Sequence, residues 1–417
     1  MTLPRLLTLM GSGETAPTMM KVHRDLIDRL GGKGTAAVVL DTPYGFQENA
    51  PELAERAVEY FAKSVQRPIA VAGLLRLSDA DPVACEQGLQ RLRAASYVFA
   101  GPGSPTYSLR QWTGSAVPGI LAEKLVKGGG ITFASAAALT LGRFTVPVYE
   151  IYKVGMEPMW LDGLDLLGPL GLNVAVIPHY DNAEGGHHDT RFCYLGERRL
   201  AMLEAELPAD AHVLGIDEHT GVVLDLDADT ATVVGNGTLT VRVRGASTRY
   251  PTGTVLSIDA LRHPGSTTGS PRPPNVAATT AVTSETVLTS LGAETERWDA
   301  AFAVAMNDGD AAGAARAALE LEQAITDWSA DTLQSDEGDR ARAALRSMIS
   351  RLGDAAVGGL RDPREPLAPF IEQLIALRAT VRADGRYDLS DQIRDGLTDR
   401  GIELKDTRDG PVWSITN

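Results

Sequence analysis

The chain has 417 residues, of which 44% are hydrophobic and 22% charged, and its formal net charge is −15. This composition is ordinary for a folded protein long enough for two domains, and the acidic excess disfavours nucleic-acid binding without a local basic patch. Two cysteines, Cys85 and Cys193, exclude a disulfide framework. The apolar run in "MTLPRLLTLMGSGE" is shorter than a secretory signal needs, and no run approaches the ~20 apolar residues that span a bilayer. We therefore expect a cytoplasmic protein with no membrane partner.

Short apolar runs alternate with amphipathic stretches from the N-terminus to about residue 220. The runs that predict buried strands are RLLTLMG, TAAVVLDTP, PIAVAGLL, ASYVFAGPG, GGITFAS and NVAVIPHYD. Helical spacing is found between them, as in ENAPELAERAVEYFAKSV and DPVACEQGLQRLRAA. Strands that alternate with helices predict an α/β fold, an open and mainly parallel sheet with flanking helices. Residues 221–258 change to short alternating runs with turn signals, which predicts antiparallel edge strands.

A change of composition marks the predicted domain boundary. Residues 263–285, "HPGSTTGSPRPPNVAATTAVTSE", are rich in Pro, Gly, Ser and Thr, which predicts a flexible linker. The sequence beyond it is Ala- and Arg-rich with helical spacing, and its last part predicts a helical hairpin broken at ADGRY. The predicted organisation is an α/β domain at 1–262, a linker at 263–285 and an all-α domain at 286–417.

Two candidate reactive segments follow predicted strands, where ligands collect in parallel sheets. Ser135 comes directly after GGITFA, and a sharp turn there would lift its hydroxyl out of the sheet and leave backbone N–H groups for an oxyanion. The GxSxG pattern is absent, with Phe133 and Ala137 at its flanks, so this stretch alone favours a small serine packed in a helix. In AGPGSPTYSLR, Gly101 and Gly103 either turn N–H groups toward an anion or form a plain turn.

Two further segments carry titratable side chains. The loop IPHYDNAEGGHHDTRF crowds together His179, Asp181, His187, His188 and Asp189. A neutral imidazole there can be the general base to a serine; the alternatives are a zinc site, although the HExxH spacing is missing, or a solvated loop. The turn GIDEHTG contains Asp217 and Glu218, which either orient such a histidine or face solvent.

One further pattern imitates a cofactor site. The segment LLTLMGSGETA places GxGxxA after a predicted strand, and Asp41 ends the next strand. This combination resembles a dinucleotide fingerprint, although the acidic residue comes late. Because isolated matches of this kind are common, we expect no cofactor. We also expect no metal, since the HExxH spacing is missing.

Taken in order, these segments resemble peptidase family S51, which includes dipeptidase E and cyanophycinase, over residues 5–245. VFAGPGSPTYSL is similar to the family's glycine-rich loop, ITFASAAALTLG falls at its nucleophile, VIPHYDNAEGGHHDTRF at its histidine and GIDEHTGVVLD at its GIDE strand. The resemblance implies a class I glutamine amidotransferase-like fold. The site residues that it implies are Ser135 as nucleophile, His187 or His188 as base, Glu218 or alternatively Glu150 as acid, Gly103 and Ala136 as oxyanion donors, and Arg191, Arg198, Arg199 and Asp181 as substrate-binding residues.

The serine segment departs from the family pattern. Ala137 stands where the family has glycine, and the glycine before the serine is also missing. Each added methyl group crowds the turn. The resemblance nevertheless implies a serine hydrolase that cleaves an amide bond of a small acidic peptide or aminoacyl conjugate. The alternative is a non-catalytic scaffold of the same fold whose helical tail binds tRNA or a protein partner.

A second resemblance covers residues 296–417. ERWDAAFAVAMNDGDAAGAARAALELEQAI and FIEQLIALRATVRADGRYDLSDQIRDGLTDRGIELKDTRDGPVWS are similar to the helical C-terminal part of cysteinyl-tRNA synthetase, without the catalytic domain. This resemblance implies a tRNA-contacting module, and Arg378, Arg382, Arg386 and Arg394 are its candidate basic stripe. The alternatives for this acidic region are packing or a homodimer contact.

Overall fold

The computed structural model describes residues 2–185, 187–265, 290–329, 336–358, 364–407 and 410–415. The chain divides into two compact units, one of residues 1–294 with 323–339, the other of residues 295–322 with 340–417. Most of the predicted linker, from residue 266 onward, lies outside the described residues. The boundaries at 262 and 286 therefore stay predictions. Residues 323–339, which the sequence places in the all-α domain, belong to the first unit.

Two sheets organise the first unit. Its strands are β1 (Arg5–Met10), β2 (Ala37–Val39), β3 (Ala70–Val71), β4 (Tyr97–Ala100), β5 (Gly129–Ala134), β6 (Phe144–Thr145), β7 (Leu161–Asp162), β8 (Val174–Ile177), β9 (His212–Ile216), β10 (Thr220–Asp225), β11 (Thr230–Gly235), β12 (Thr238–Val243), β13 (Ala246–Pro251) and β14 (Val255–Ser257). The larger sheet has the order β14-β11-β10-β1-β5-β4-β2-β3 and the smaller one β13-β12-β9-β8-β6-β7.

The larger sheet is parallel in one half and antiparallel in the other. Strands β1, β5, β4, β2 and β3 pair in parallel, and β10, β11 and β14 continue the sheet antiparallel. Every residue of β4 and β5 is buried. Such continuous apolar strands are typical of a sheet covered on both faces. The predicted α/β class is thus confirmed.

The antiparallel region predicted at 221–258 contributes to both sheets. Strands β10, β11 and β14 extend the larger sheet. Strands β12 and β13 instead join the smaller sheet, where β12 pairs with β9. Leu7 and Leu9 of β1 and Leu214 and Ile216 of β9 belong to one apolar core, so the two sheets share a buried interior.

Helices cover the sheets of the first unit. They are α1 (Pro17–Arg29), α2 (Ala50–Tyr60), α3 (Pro82–Ala94), α4 (Pro105–Trp112), α5 (Val117–Lys127), α6 (Ser135–Leu139), α7 (Gly196–Glu206) and α8 (Ile258–Arg262). Proline occupies one of the first two positions of α1 to α5, where its missing N–H costs no helical bond. The Asp81 carboxylate and the Ser104 hydroxyl accept N–H bonds that cap α3 and α4.

The described C-terminal region is mainly helical. Its elements are α9 (Leu291–Asn307), α10 (Ala311–Asp327), α11 (Glu337–Gly358), α12 (Arg364–Ala383), α13 (Tyr387–Thr398), β15 (Ile402–Thr407) and β16 (Gly410–Ile415). The break between α12 and α13 falls at the predicted ADGRY. The antiparallel pair β15–β16 adds a hairpin that helical spacing does not reveal. No helix in the described ranges has the length and apolar character needed to cross a bilayer.

Candidate active site

Ser135 lies at a sharp turn between β5 and α6. Its φ is +48°, a left-handed conformation that is uncommon for a residue other than glycine. Small neighbours accommodate the turn, because Ala136 and Ala137 are both buried and the Ala137 N–H donates to the Gly101 carbonyl at 3.3 Å. The strand-to-helix elbow therefore forms without the flanking glycines of GxSxG.

The imidazole of His179 contacts the serine. Ser135 Oγ and His179 Nε2 are 2.8 Å apart, within hydrogen-bond distance. His179 is the second residue after β8, and its φ is also left-handed at +48°. The Cys193 N–H donates to the His179 carbonyl, and the Tyr180 N–H donates to the Ile216 carbonyl of β9. These two bonds hold the carbonyl and the N–H of the peptide unit that directly follows His179.

Glu218 completes a linear array behind His179. Its Oε1 lies 2.8 Å from His179 Nδ1 and accepts a second bond from Asn182 Nδ2 at 3.0 Å. The Glu218 N–H donates to Asp181 Oδ1 at 2.7 Å. Of the two acids that the sequence leaves open, the structure brings Glu218 to the histidine, whereas Asp217 accepts from the Thr238 N–H.

Protonated His179 and ionised Glu218 stabilise each other. Burial lowers the pKa of His179, but its hydrogen bond to Glu218 and the negative charges of Glu218, Glu14 and Glu184 outweigh burial, so that the pKa is raised. Burial acts against ionised Glu218 as well, yet the bond to His179 brings its pKa below the usual value. The pair thus favours an imidazolium next to a carboxylate, the charge state that a triad forms when the histidine takes a proton.

The serine and the histidine open into a cavity of about 540 Å³. Gly101, Pro102 and Gly103 of the glycine-rich loop line this cavity. Several tyrosines and two cations, Arg56 and Lys153, line it as well. The further lining residues are Thr15, Val39, Tyr44, Gln47, Leu53, Ala57, Phe99, Tyr149, Tyr152, Glu184 and Tyr194.

The glycine-rich loop at Gly101–Gly103 packs closely against the backbone at Pro43. Gly103 has a φ of +144°, and a Cβ at this position would lie 2.0 Å from the Pro43 carbonyl oxygen. The Ser104 N–H donates to the same carbonyl at 2.9 Å. A side chain at Gly103 would therefore displace the loop that borders Ser135.

The histidines that the sequence proposes as base lie elsewhere. His187 and His188 are exposed, and the His188 ring stacks on Tyr152 at 6.5 Å between centroids. The structure corrects this expectation, since the imidazole at Ser135 belongs to His179. The physical reason is chain geometry: His179 leaves the end of β8 directly, whereas His187 and His188 lie far along the following loop.

Of the other predicted residues, Asp181 and Ala136 lie next to members of the array, whereas the three arginines do not line the cavity. Asp181 accepts a hydrogen bond from the Glu218 N–H, and Ala136 is buried directly after Ser135. Arg191 pairs with Asp189, Arg198 contacts the Met202 sulfur, and Arg199 is half-buried on α7. The cavity in the described part of the chain is lined by other cations, Lys153 and Arg56. Glu150 is half-buried, and its Oε2 has no hydrogen-bond partner among the described residues.

The sequence places His179 among the candidate imidazoles, but the family resemblance points to His187 or His188, and Lys153 and Arg56 are not among the predicted residues. A signal for His179 was present, because it is the second residue after an apolar strand and Ser135 is the first after another. Lys153 and Arg56 had no such signal, since they lie in the short π-helix Glu150–Val154 and in α2, outside the four candidate segments.

The candidate basic stripe of the C-terminal region is largely neutralised. Arg378 is buried and makes a two-pronged bond with Asp406. Arg382 also contacts Asp406, and Arg394 contacts Asp391 and Asp395. Arg386 lies outside α12, at the residue before α13.

The sequence matches no protein-family model. It is similar to cysteine–tRNA ligases: 122 residues are 34% identical to the Pseudarthrobacter chlorophenolicus protein, over 28% of this chain and 24% of that one. A further 109-residue match to the Dehalococcoides mccartyi protein is 28% identical and covers 26% and 23%. The chain thus spans about a quarter of the length of these curated relatives.

A solved structure shares the fold of the N-terminal part. The crystal structure of a peptidase from an acI-B1 Actinobacterium covers 61% of this chain and 98% of its own, with a TM-score of 0.50 and 21% sequence identity. At this identity the likeness shows the fold alone. Both predicted resemblances are therefore confirmed at that level, a peptidase-like α/β region and a part similar to cysteine–tRNA ligases.

Proposed function

We propose that the protein is a serine-type hydrolase that cleaves an amide bond. The observation that carries the proposal is the linear array of Ser135, His179 and Glu218, joined by two contacts of 2.8 Å. A nucleophile bonded to a base that is itself oriented by an acid is the arrangement that activates a serine. The left-handed turn at Ser135 and the adjoining cavity supply the exposure that a nucleophile needs.

The residues have complementary roles in the proposed reaction. His179 takes the hydroxyl proton as Ser135 Oγ attacks the amide carbonyl, and Glu218 stabilises the imidazolium. The N–H groups of Gly103 and Ala136 are the proposed donors to the oxyanion. His179 then gives its proton to the departing amine, leaving an acyl-serine that water hydrolyses with the same histidine as base.

A small acidic peptide or aminoacyl conjugate is the substrate class that we propose. A cavity of about 540 Å³ is of the size that holds small ligands. Lys153 and Arg56 line it, and cations of this kind bind carboxylates. Arg56 is already paired with Glu52, whereas Lys153 lies over the Tyr152 ring at 4.9 Å. Lys153 is thus the cation better placed to contact a substrate carboxylate.

Covalent labelling tests the nucleophile. A fluorophosphonate probe should label the wild-type protein and Ser78→Ala equally, because Ser78 is an exposed serine that does not line the cavity. Labelling should vanish in Ser135→Ala with the circular dichroism spectrum unchanged. Equal labelling of Ser135→Ala and wild type would overturn the assignment.

The similarity to cysteine–tRNA ligases favours a second candidate function, contact with tRNA through the C-terminal region. Phosphate contacts make such binding weaken steeply with salt. Because three of the four arginines are already paired with acids, we expect the tRNA affinity of the full chain to depend only weakly on salt concentration. Arg386 should contribute most to that dependence. Filter binding at low and moderate salt, with Arg386→Glu beside wild type, measures the slope. No binding at low salt would leave the region a packing or homodimer module.

A further inference from the structure

The residue after Glu218 is held in an unusual conformation. His219 has a φ of +49°, which is left-handed, and its side chain is 8% exposed. Its Nδ1 lies 3.0 Å from Thr18 Oγ1, and its carbonyl accepts from the Asn236 N–H at 2.9 Å. Because the two residues share a peptide bond, a displacement of the His219 backbone also displaces the backbone of Glu218.

The imidazole of His219 occupies a closely fitting slot. A Cβ at Gly13 would lie 2.1 Å from His219 Nδ1, and one at Gly235 would lie 2.2 Å from the His219 carbonyl oxygen. Backbone therefore approaches the residue on two sides. A ring packed this closely cannot shift far without moving the peptide that leads to Glu218.

Trp328 packs against this histidine. The two rings meet edge to face, with centroids 5.2 Å apart and an interplanar angle of 67°. Trp328 is 5% exposed and directly follows α10, in the segment 323–339 that belongs to the first unit. Near the other end of the same segment, the Glu337 carboxylate accepts a hydrogen bond from the Gly292 N–H at 3.1 Å. Gly292 also belongs to the first unit.

We propose that Trp328 is a positioning residue for the active-site acid, acting through His219 to hold Glu218 against His179. This inference rests on the proposed function for its catalytic consequence. Burial lowers the pKa of His219 to about 4, so that a neutral ring meets Trp328 near pH 7. An edge-to-face aromatic contact of this kind is directional and limits rotation of the histidine.

The proposal has a specific electrostatic consequence. When Trp328 is removed, the His219 turn relaxes and Glu218 retreats from His179, so that the pKa of His179 falls. The other titratable groups near His179 are Glu14, Asp181, Glu184, Tyr194 and His219 itself. The hydrogen bond to Glu218 contributes most to raising the pKa of His179, so a fall in that pKa reports mainly on the Glu218 contact.

The experiment measures that pKa directly in the full chain. Histidine-labelled protein is titrated by NMR, with the His179 signal assigned from His179→Gln. Trp328→Ala should lower the His179 pKa by at least half a unit, and Trp328→Phe, which keeps an aromatic ring, should restore most of it. Trp298→Ala is the matched control, since Trp298 stacks with Arg297 in the second unit.

Labelling kinetics supply the functional readout. The fluorophosphonate rate at Ser135 should fall at least tenfold in Trp328→Ala, with the midpoint of its acid limb at lower pH than in wild type. Loss of folded protein alone would lower the rate equally at every pH and leave the midpoint in place. If Trp328→Ala does not fold, Trp328→Leu keeps the apolar volume without the ring and carries both measurements.

The outcomes separate the two proposals. An unchanged His179 pKa in Trp328→Ala, or in Trp328→Leu where that variant is used, overturns the positioning role whether or not Ser135 reacts. A lowered His179 pKa in a protein whose wild type is never labelled supports the positioning role and contradicts the hydrolase.

Discussion

Ser135 adopts a strained backbone conformation between β5 and the alanine-rich helix α6. A left-handed φ strains a residue that has a Cβ, and such strain persists only where the surroundings hold it. The buried Ala136 and Ala137 leave room for the turn, and the serine hydroxyl gains the contact with His179. Strain at this position is consistent with the role that we propose for the serine.

The identity of the base gives a direct prediction among neighbouring histidines. His179→Ala should reduce fluorophosphonate labelling on the order of 10³-fold, as loss of a triad member does. His187→Ala and His188→Ala should keep the wild-type rate, because both side chains are exposed and neither contacts Ser135. A severe loss in either variant, with His179→Ala still active, would identify His187 or His188 as the base.

The pH dependence follows from the raised pKa of His179. The base must be neutral to accept a proton, so the labelling rate should fall as pH drops through a midpoint above the ordinary 6.5. Glu218→Gln removes the charge that raises this pKa while burial remains, so the midpoint should move to lower pH and the maximal rate should also fall. Rates from pH 5 to 9 for both proteins measure the shift; an identical midpoint would contradict the coupling.

The predictable part of the site is the part that lies at strand ends. Ser135, Gly103 and Glu218 each follow a strand closely, and apolar runs reveal strands from sequence. The choice among three histidines depends on the path of the loop after β8, which single-residue patterns do not encode. The arginines were proposed from the resemblance, and Lys153 and Arg56 reach the cavity through packing of distant elements.

The glycine-rich loop after β4 makes a prediction about stability. Gly103→Ala should destabilise the protein by about 1–3 kcal/mol and reduce labelling, since the φ is left-handed and the new Cβ would overlap the Pro43 carbonyl. Gly119→Ala is the matched control: this glycine lies in α5 with no atom near its Cβ, so the change should add about 0.5–1 kcal/mol. Urea unfolding measures both, and equal stability of the two variants would refute the account.

Alternation of strands and helices was enough to predict the parallel half of the larger sheet. It could not predict that β12 and β13 would leave that sheet and pair with β9, because the same alternating pattern suits either partner. The β15–β16 hairpin was missed for a related reason. Its two six-residue strands directly follow a strongly helical region, and strands this short do not stand out from the helical spacing before them.

The division of the chain into units changes what a cut in the linker should do. Two independent domains on a flexible linker would separate once the linker is cleaved. Here residues 323–339 belong to the first unit although they follow the linker, and Trp328 and Ala324 are buried. The C-terminal piece therefore carries a segment that completes the N-terminal piece.

A specific protease site inserted between residues 270 and 280 tests this division. The two pieces should co-elute in gel filtration under native conditions and separate only in denaturant, because separation would expose the apolar surface that surrounds Trp328. Trp328→Ala in the cleaved protein should weaken the association, whereas Trp298→Ala should leave it unchanged, since Trp298 belongs to the second unit. Separate elution of the wild-type pieces in native buffer would mean that segment 323–339 does not hold them together.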